Sequence, residues 1–128
     1  QEEIHVPIIF WQSKESNWPQ VKIATIMDIA PTILDIADIN VPSSFDGVSL
    51  LQTNEARTTF HNSKRGFYAS VTQTSEHIYK LIIDNEGDNA DLLFDLANDP
   101  TESKNIANED NGKLSRQLKT KLEQHFNL

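Results

Sequence analysis

A chain of 128 residues with 38% hydrophobic and 23% charged side chains lies within the range of one small globular domain and is not the composition of a disordered segment. Nineteen acidic against eleven basic residues leave a net charge of −8, which disfavours nucleic-acid backbones and anionic membrane faces as partners. The absence of cysteine excludes disulfides, thiolate metal sites and a cysteine nucleophile within the chain.

No apolar run approaches the roughly 20 residues that span a bilayer. Gln1-Glu2-Glu3 lacks the basic and apolar regions of a signal peptide, so the chain reads as though it begins inside a longer protein. Ile4 to Trp11 contains Val6-Pro7-Ile8-Ile9-Phe10-Trp11, apolar throughout instead of alternating. That pattern predicts a strand covered on both faces, as in a parallel sheet layered with helices. Residues 12–20 turn polar and predict a loop ending at Trp18-Pro19.

Val21 to Met27 leads to Asp28, which fits a helix N-cap, with Pro31 in the first turn where its missing N–H costs little. Ile29, Ile33, Ile36 and Ala37, broadened by Leu34, predict one amphipathic helix to about Asp38, stopped by Val41-Pro42. Phe45 to Leu51 reads as a turn and a short apolar anchor. Residues 52–66 read as a polar connection without periodicity.

Phe67 to Gln73 and His77 to Asp84 are strand candidates joined by a hairpin-length spacer, Thr74-Ser75-Glu76. A turn around Gly87 precedes a third strand, Asp91 to Leu96, which completes an antiparallel meander. Leu114, Leu118, Leu122 and Phe126 recur every four residues and predict an amphipathic helix from Lys113 to Phe126 lying on that sheet.

Five segments now stand in order: Val6-Pro7-Ile8-Ile9, Asp28-x-x-Pro31-Thr32, Asp46-Gly47-x-Ser49-Leu50, Tyr79-Lys80-Leu81-Ile82, and Leu93-Phe94-Asp95-Leu96-x-x-Asp99-Pro100-x-Glu102 with Asn105. In these residues the chain resembles the C-terminal part of a sulfatase, in the superfamily that includes alkaline phosphatases and phosphonate monoester hydrolases. The resemblance implies an α/β parent fold. Of this, the chain would hold an α+β piece: a terminal strand and helix of the large domain (1–52), then a small antiparallel sheet of three to four strands packed by a C-terminal helix (53–128).

Sulfatases use a formylglycine made from Cys or Ser in a Cys/Ser-x-Pro/Ala-x-Arg motif, beside a divalent metal such as calcium. The resemblance places both ahead of residue 1. Ser63-Lys64-Arg65 lacks the motif's spacing, so no catalytic residue and no metal ligand is expected in this chain. The implied partners are the N-terminal catalytic part of the same protein and a sulfated sugar or small molecule. Export to the periplasm or the cell exterior is common among such enzymes. Two departures stand out: Asp38 where family members often carry a helix-ending Gly, and His5 where many have Arg.

His5, His61 and His77 are the candidate substrate contacts, each weighed against a histidine merely satisfied within its strand. His125 sits where it complements a helix dipole, and no histidine pair has metal-ligand spacing. Asp95, Asp99 and Glu102 carry enough carboxylate for a calcium site, but a Pro turn with side-chain caps is the simpler account. Trp11 and Trp18 fit either a cleft rim or packing against a missing domain, and Lys113, Arg116, Lys119 and Lys121 a solvated helix face. The reading is thus the C-terminal portion of a sulfuric ester hydrolase, inactive alone. The alternatives are a non-catalytic binding or structural module, a phosphonate or phosphate ester hydrolase, or a phosphoglycerol transferase.

Overall fold

The computed structural model describes residues 7–11, 21, 23–52, 56–63, 66–87 and 89–128, and the chain divides into two units, Gln1–Asn54 and Glu55–Leu128. In the first unit a single 3₁₀ turn, Ile26–Asp28, runs into α1 (Ile29–Ile36). Pro31 occupies the first turn of α1, where no intrahelical donor is lost. The helix ends in a Schellman arrangement, Ile39 N–H donating to Leu34 O at 2.9 Å and Asp38 N–H to Asp35 O at 3.1 Å. Asp38 takes the left-handed position at φ 56°, the conformation that Asp tolerates better than most residues.

One expectation for this unit needs correction. Pro7–Trp11 do not form a strand; a strand of a parallel sheet exists only where neighbours offer it hydrogen bonds, and no strand is found in this unit among the described residues. Residues 4–6 of that predicted strand, the loop 12–20 and Trp18 lie outside the described residues. On α1 itself Ile33 and Ile36 of the apolar stripe are exposed, whereas Pro31 and Thr32 are buried. Periodicity identifies the apolar side of a helix but not whether anything lies against it.

The second unit is a four-stranded antiparallel meander, β1 (Arg57–Asn62), β2 (Phe67–Gln73), β3 (Ile78–Asp84) and β4 (Leu92–Asp95), in that spatial order. The register pairs Phe60 with Ser70, Ser70 with Leu81, and Leu81 with Leu93. β2 has the predicted bounds, and β3 and β4 are shorter than predicted by one residue or by one at each end. β1 lies within the stretch read as a connection. Phe60 is its only strongly apolar residue, and an edge strand of Thr, His and Asn carries little hydrophobic alternation to detect.

The hairpin after β2 is closed by Thr74 N–H to His77 O at 2.8 Å, and His77 N–H returns to Thr74 Oγ1 at 2.9 Å. α2 (Lys113–Phe126) has the predicted bounds, with Gly112 as its N-cap at φ 69°, a conformation in which Gly bears no Cβ penalty. One sheet face meets α2: Leu81, Ile83 and Leu93 pack with Ala107, Leu118 and Leu122, flanked by Phe60, Tyr68, Tyr79 and Phe126. His125, in the last turn of α2, also stacks on Phe60 with ring centroids 4.0 Å apart.

Candidate functional site

The sequence motifs resolve first into scaffolding. Asp28 is fully buried, and its carboxylate does not cap α1 in the expected way. One oxygen accepts from Thr25 N–H at 2.6 Å and Thr25 Oγ1 at 3.0 Å, while the other reaches Val48 N–H at 2.9 Å. One turn later Thr32 Oγ1 donates to Asp28 O and accepts from Leu50 N–H. The Asp-x-x-Pro-Thr and Asp-Gly-x-Ser-Leu segments are therefore two halves of one interlock, helix side chains holding alternate amides of the second segment. Gly47 is required there, since a Cβ would collide with the Met27 carbonyl.

The Asp95–Asn105 loop is likewise organised by its own carboxylates. Asp99 accepts from Lys104 N–H at 2.8 Å and from the hydroxyls of Ser103 and Thr101 at 2.9 and 3.0 Å. The backbone amides foremost, of Lys104 and Ser103, hold its carboxyl down at about 2. Asn105 Oδ1 accepts from Leu93 N–H at 2.9 Å and Ala107 N–H at 3.0 Å, closing the free edge of β4. Among the described residues no group of three or more His, Asp or Glu side chains is placed to hold a metal ion. These carboxylates are turn builders and do not fit a calcium ligand set.

Side chains alternate across a strand, so the face opposite α2 carries Arg57, Thr59 and His61 of β1, Ala69 and Val71 of β2, Lys80 and Ile82 of β3, and Phe94 of β4. Lys80 is 7% exposed, and its Nζ lies 2.9 Å from both carboxylate oxygens of Glu102. His61 Nε2 is 3.1 Å from Thr59 Oγ1. Burial, and then the Lys80 cation, draw the His61 imidazole below its ordinary range, which favours the neutral ring. From the sequence Glu102 reads as a turn carboxylate and Lys80 only as part of a strand segment, so the pairing of the two is new to the structure. A lysine inside the apolar run Ile78 to Ile83 was the available signal.

His77 stands apart from His61. Its Nδ1 lies 2.7 Å from Asp95 Oδ2; a carboxylate only accepts, so Nδ1 is the donor. The ring stacks on Tyr79 at 5.2 Å. Burial raises the Tyr79 phenol, helped by Asp95 and Glu76. Burial would also raise the Asp95 carboxyl, but hydrogen bonds from Asn98, His77 and Ala97 outweigh it and lower it. By register Asp95 and Tyr79 belong to the α2 face, so the structure does not bring His61 and His77 together. His5 lies outside the described residues.

The meander backed by a terminal helix recurs in solved structures. One, solved in complex with its substrate D-glucosamine-2-N,6-O-disulfate, superimposes with a TM-score of 0.54 at 24% identity, covering 77% of this chain and 23% of that one. A Bacteroides fragilis structure described as a candidate sulfatase gives 0.55 at 19% identity over 78% of this chain and 24% of its own. These likenesses define the class of fold, an α+β domain of the sulfatase type.

In sequence, arylsulfatase K of Mus musculus is 31% identical over 122 residues, 83% of this chain, and that of Xenopus laevis 28% identical over 122 residues, 80% of this chain. The chain spans 22% of the length of each. The family described as N-sulphoglucosamine sulphohydrolase, C-terminal, matches residues 1–127, and the chain belongs to it: it is a C-terminal sulfatase domain.

Proposed function

We propose that this chain completes the fold and one wall of the substrate cleft of a sulfuric ester hydrolase whose nucleophile and metal lie upstream of residue 1. The observation that carries the reading is the apolar surface of the first unit. Ile9 and Trp11 are each 84% exposed, Ile26 76% and Met27 62%, with Ile33 and Ile39 also more than half exposed. A surface of this character is normally covered by protein, and the N-terminal catalytic part of the same molecule is the occupant that family membership supplies.

In such a parent a formylglycine would supply the nucleophile and a divalent metal would polarise the ester oxygens. The sequence carries no formylglycine motif and no metal ligand set is found among the described residues, so the part assigned to this chain is binding and orientation. His61 is the proposed substrate contact, as a neutral imidazole on the sheet face not taken by α2. His77, already bonded to Asp95, and His5 are secondary candidates. The sugar substrate in the complexed neighbour supports a sulfated sugar as the substrate class.

Sulfate release from a sulfated glucosamine and phosphate release from the matching phosphate ester test the proposal, on this chain and on the longest open reading frame containing it. Sulfate release by the long form alone is expected. Turnover by the isolated chain, or a preference of the long form for phosphate, would overturn it.

A further inference from the structure

α2 begins without a side-chain cap. Gly112 stands at the N-cap, where a Ser, Thr, Asp or Asn would ordinarily accept from a first-turn amide. Asp110, Asn111 and Gly112 lead in through three successive left-handed positions, and Lys113 N–H turns back to Asp110 O. Beside this helix start lies a cleft of about 210 Å³, bordered by Asp91, Asn105, Asn108, Gly112, Ser115 and Arg116. Ser115 lines the cleft and is 6% exposed, and its hydroxyl has no hydrogen-bond partner among the described residues. A hydroxyl buried to that degree normally has one, and the cleft is the open space from which a partner can reach it.

The groups that face this cleft are mostly donors. Arg116 Nη1 donates to Asn111 O at 2.8 Å, which holds the guanidinium at the rim with further N–H groups to give. The start of α2 adds the positive end of the helix dipole. The carboxylate on the wall, Asp91, is already held by Lys119 Nζ at 2.9 and 3.0 Å. In the turn before α2, Glu109 is paired with Lys104 at 2.6 Å, which leaves Asp110 against the cations of Lys113 and Arg116. We propose that the cleft is an oxyanion site for sulfate, free or carried as an ester, held by the Ser115 hydroxyl, the Arg116 guanidinium and the uncapped start of α2. Donors without a free carboxylate suit an anion that carries no proton at neutral pH. The site is built by α2 and the segments flanking β4, not by the sheet face that carries His61, so it does not depend on the reading of His61.

The test is the melting temperature of the full parent protein against sodium sulfate, with ionic strength held constant by sodium chloride. Sulfate bound elsewhere in the parent raises wild type and variants alike and cancels in the comparison. Ser115→Ala and Arg116→Met should each weaken the site about tenfold, as expected for one hydrogen bond to a charged group, and so reduce the sulfate-dependent rise. Without sulfate, Ser115→Ala should melt like wild type, because the oxygen it removes bonds nothing in the protein. A merely structural role would lower that baseline and leave the rise unchanged. Sodium methyl sulfate, the ester form in which a sugar carries the group, separates the two sources. A reduced rise with both salts assigns the site to sulfate in either form, and a reduced rise with one alone assigns it to that form. The same rise in wild type and Ser115→Ala with both salts overturns the proposal, whether or not Arg116→Met folds.

Discussion

Ser70, 1% exposed on the α2 face of β2, has a hydroxyl with no hydrogen-bond partner among the described residues. A buried hydroxyl left unpaired costs about 1–3 kcal/mol, so Ser70→Ala should stabilise the protein by about 1 kcal/mol, read as a higher urea midpoint at unchanged slope. Thr32 is the converse case. Thr32→Val preserves shape but strands the Leu50 N–H, with an expected loss of about 2 kcal/mol in the same measurement. For His61, the folded value lies below the ordinary 6.5, so the folded state binds fewer protons between the two values. The histidine does not oppose folding above about pH 6.5; as pH falls below that, through the folded value, stability is lost. Melting temperatures across this window should fall more steeply for wild type than for His61→Gln.

The elements show what a sequence can and cannot disclose. α2 was legible because its four-residue apolar period meets a covering sheet, and β2 because its flanking turns carry their own chemistry. β1 was hidden because an edge strand of Thr, His and Asn has one core residue, Phe60, to announce it. The outward stripe of α1 and the missing strand at Pro7–Trp11 share a different cause: both patterns describe a fit to neighbours that this chain does not supply. Asp38 was legible, and it yields a prediction. Replacing a non-glycine residue at a left-handed helix terminus with glycine removes the Cβ penalty, so Asp38→Gly should stabilise α1 by about 0.5–1 kcal/mol, measured by hydrogen exchange at Ala37 and Ile39. Asn105→Ala should do the opposite, since it releases both Leu93 N–H and Ala107 N–H. A loss of about 2 kcal/mol is expected, with faster exchange along the β4 edge.

At the scale of the whole molecule, the motifs that reveal ancestry are the ones that hold backbone, and the residues proposed to meet substrate belong to none of them. Asp28, Thr32, Asp99 and Asn105 are each occupied by amides. His61 occupies the sheet face left over by α2. That division explains why the family could be recognised from sequence while the candidate site was only partly visible. His61 could be named as a residue type in a suggestive stretch, but its place on the sheet face opposite α2 required the register of the strands. It also fits a protein in which the bond-breaking groups lie upstream and this chain contributes recognition.

The most direct test of that account is a steady-state comparison of wild-type parent and His61→Ala on a sulfated glucosamine. Loss of one substrate hydrogen bond, outside the reacting atoms, should raise KM about tenfold and leave kcat within about twofold. Unchanged kinetics would mean that this face does not look onto substrate, and a collapse of kcat at constant KM would place chemistry, not recognition, in this chain.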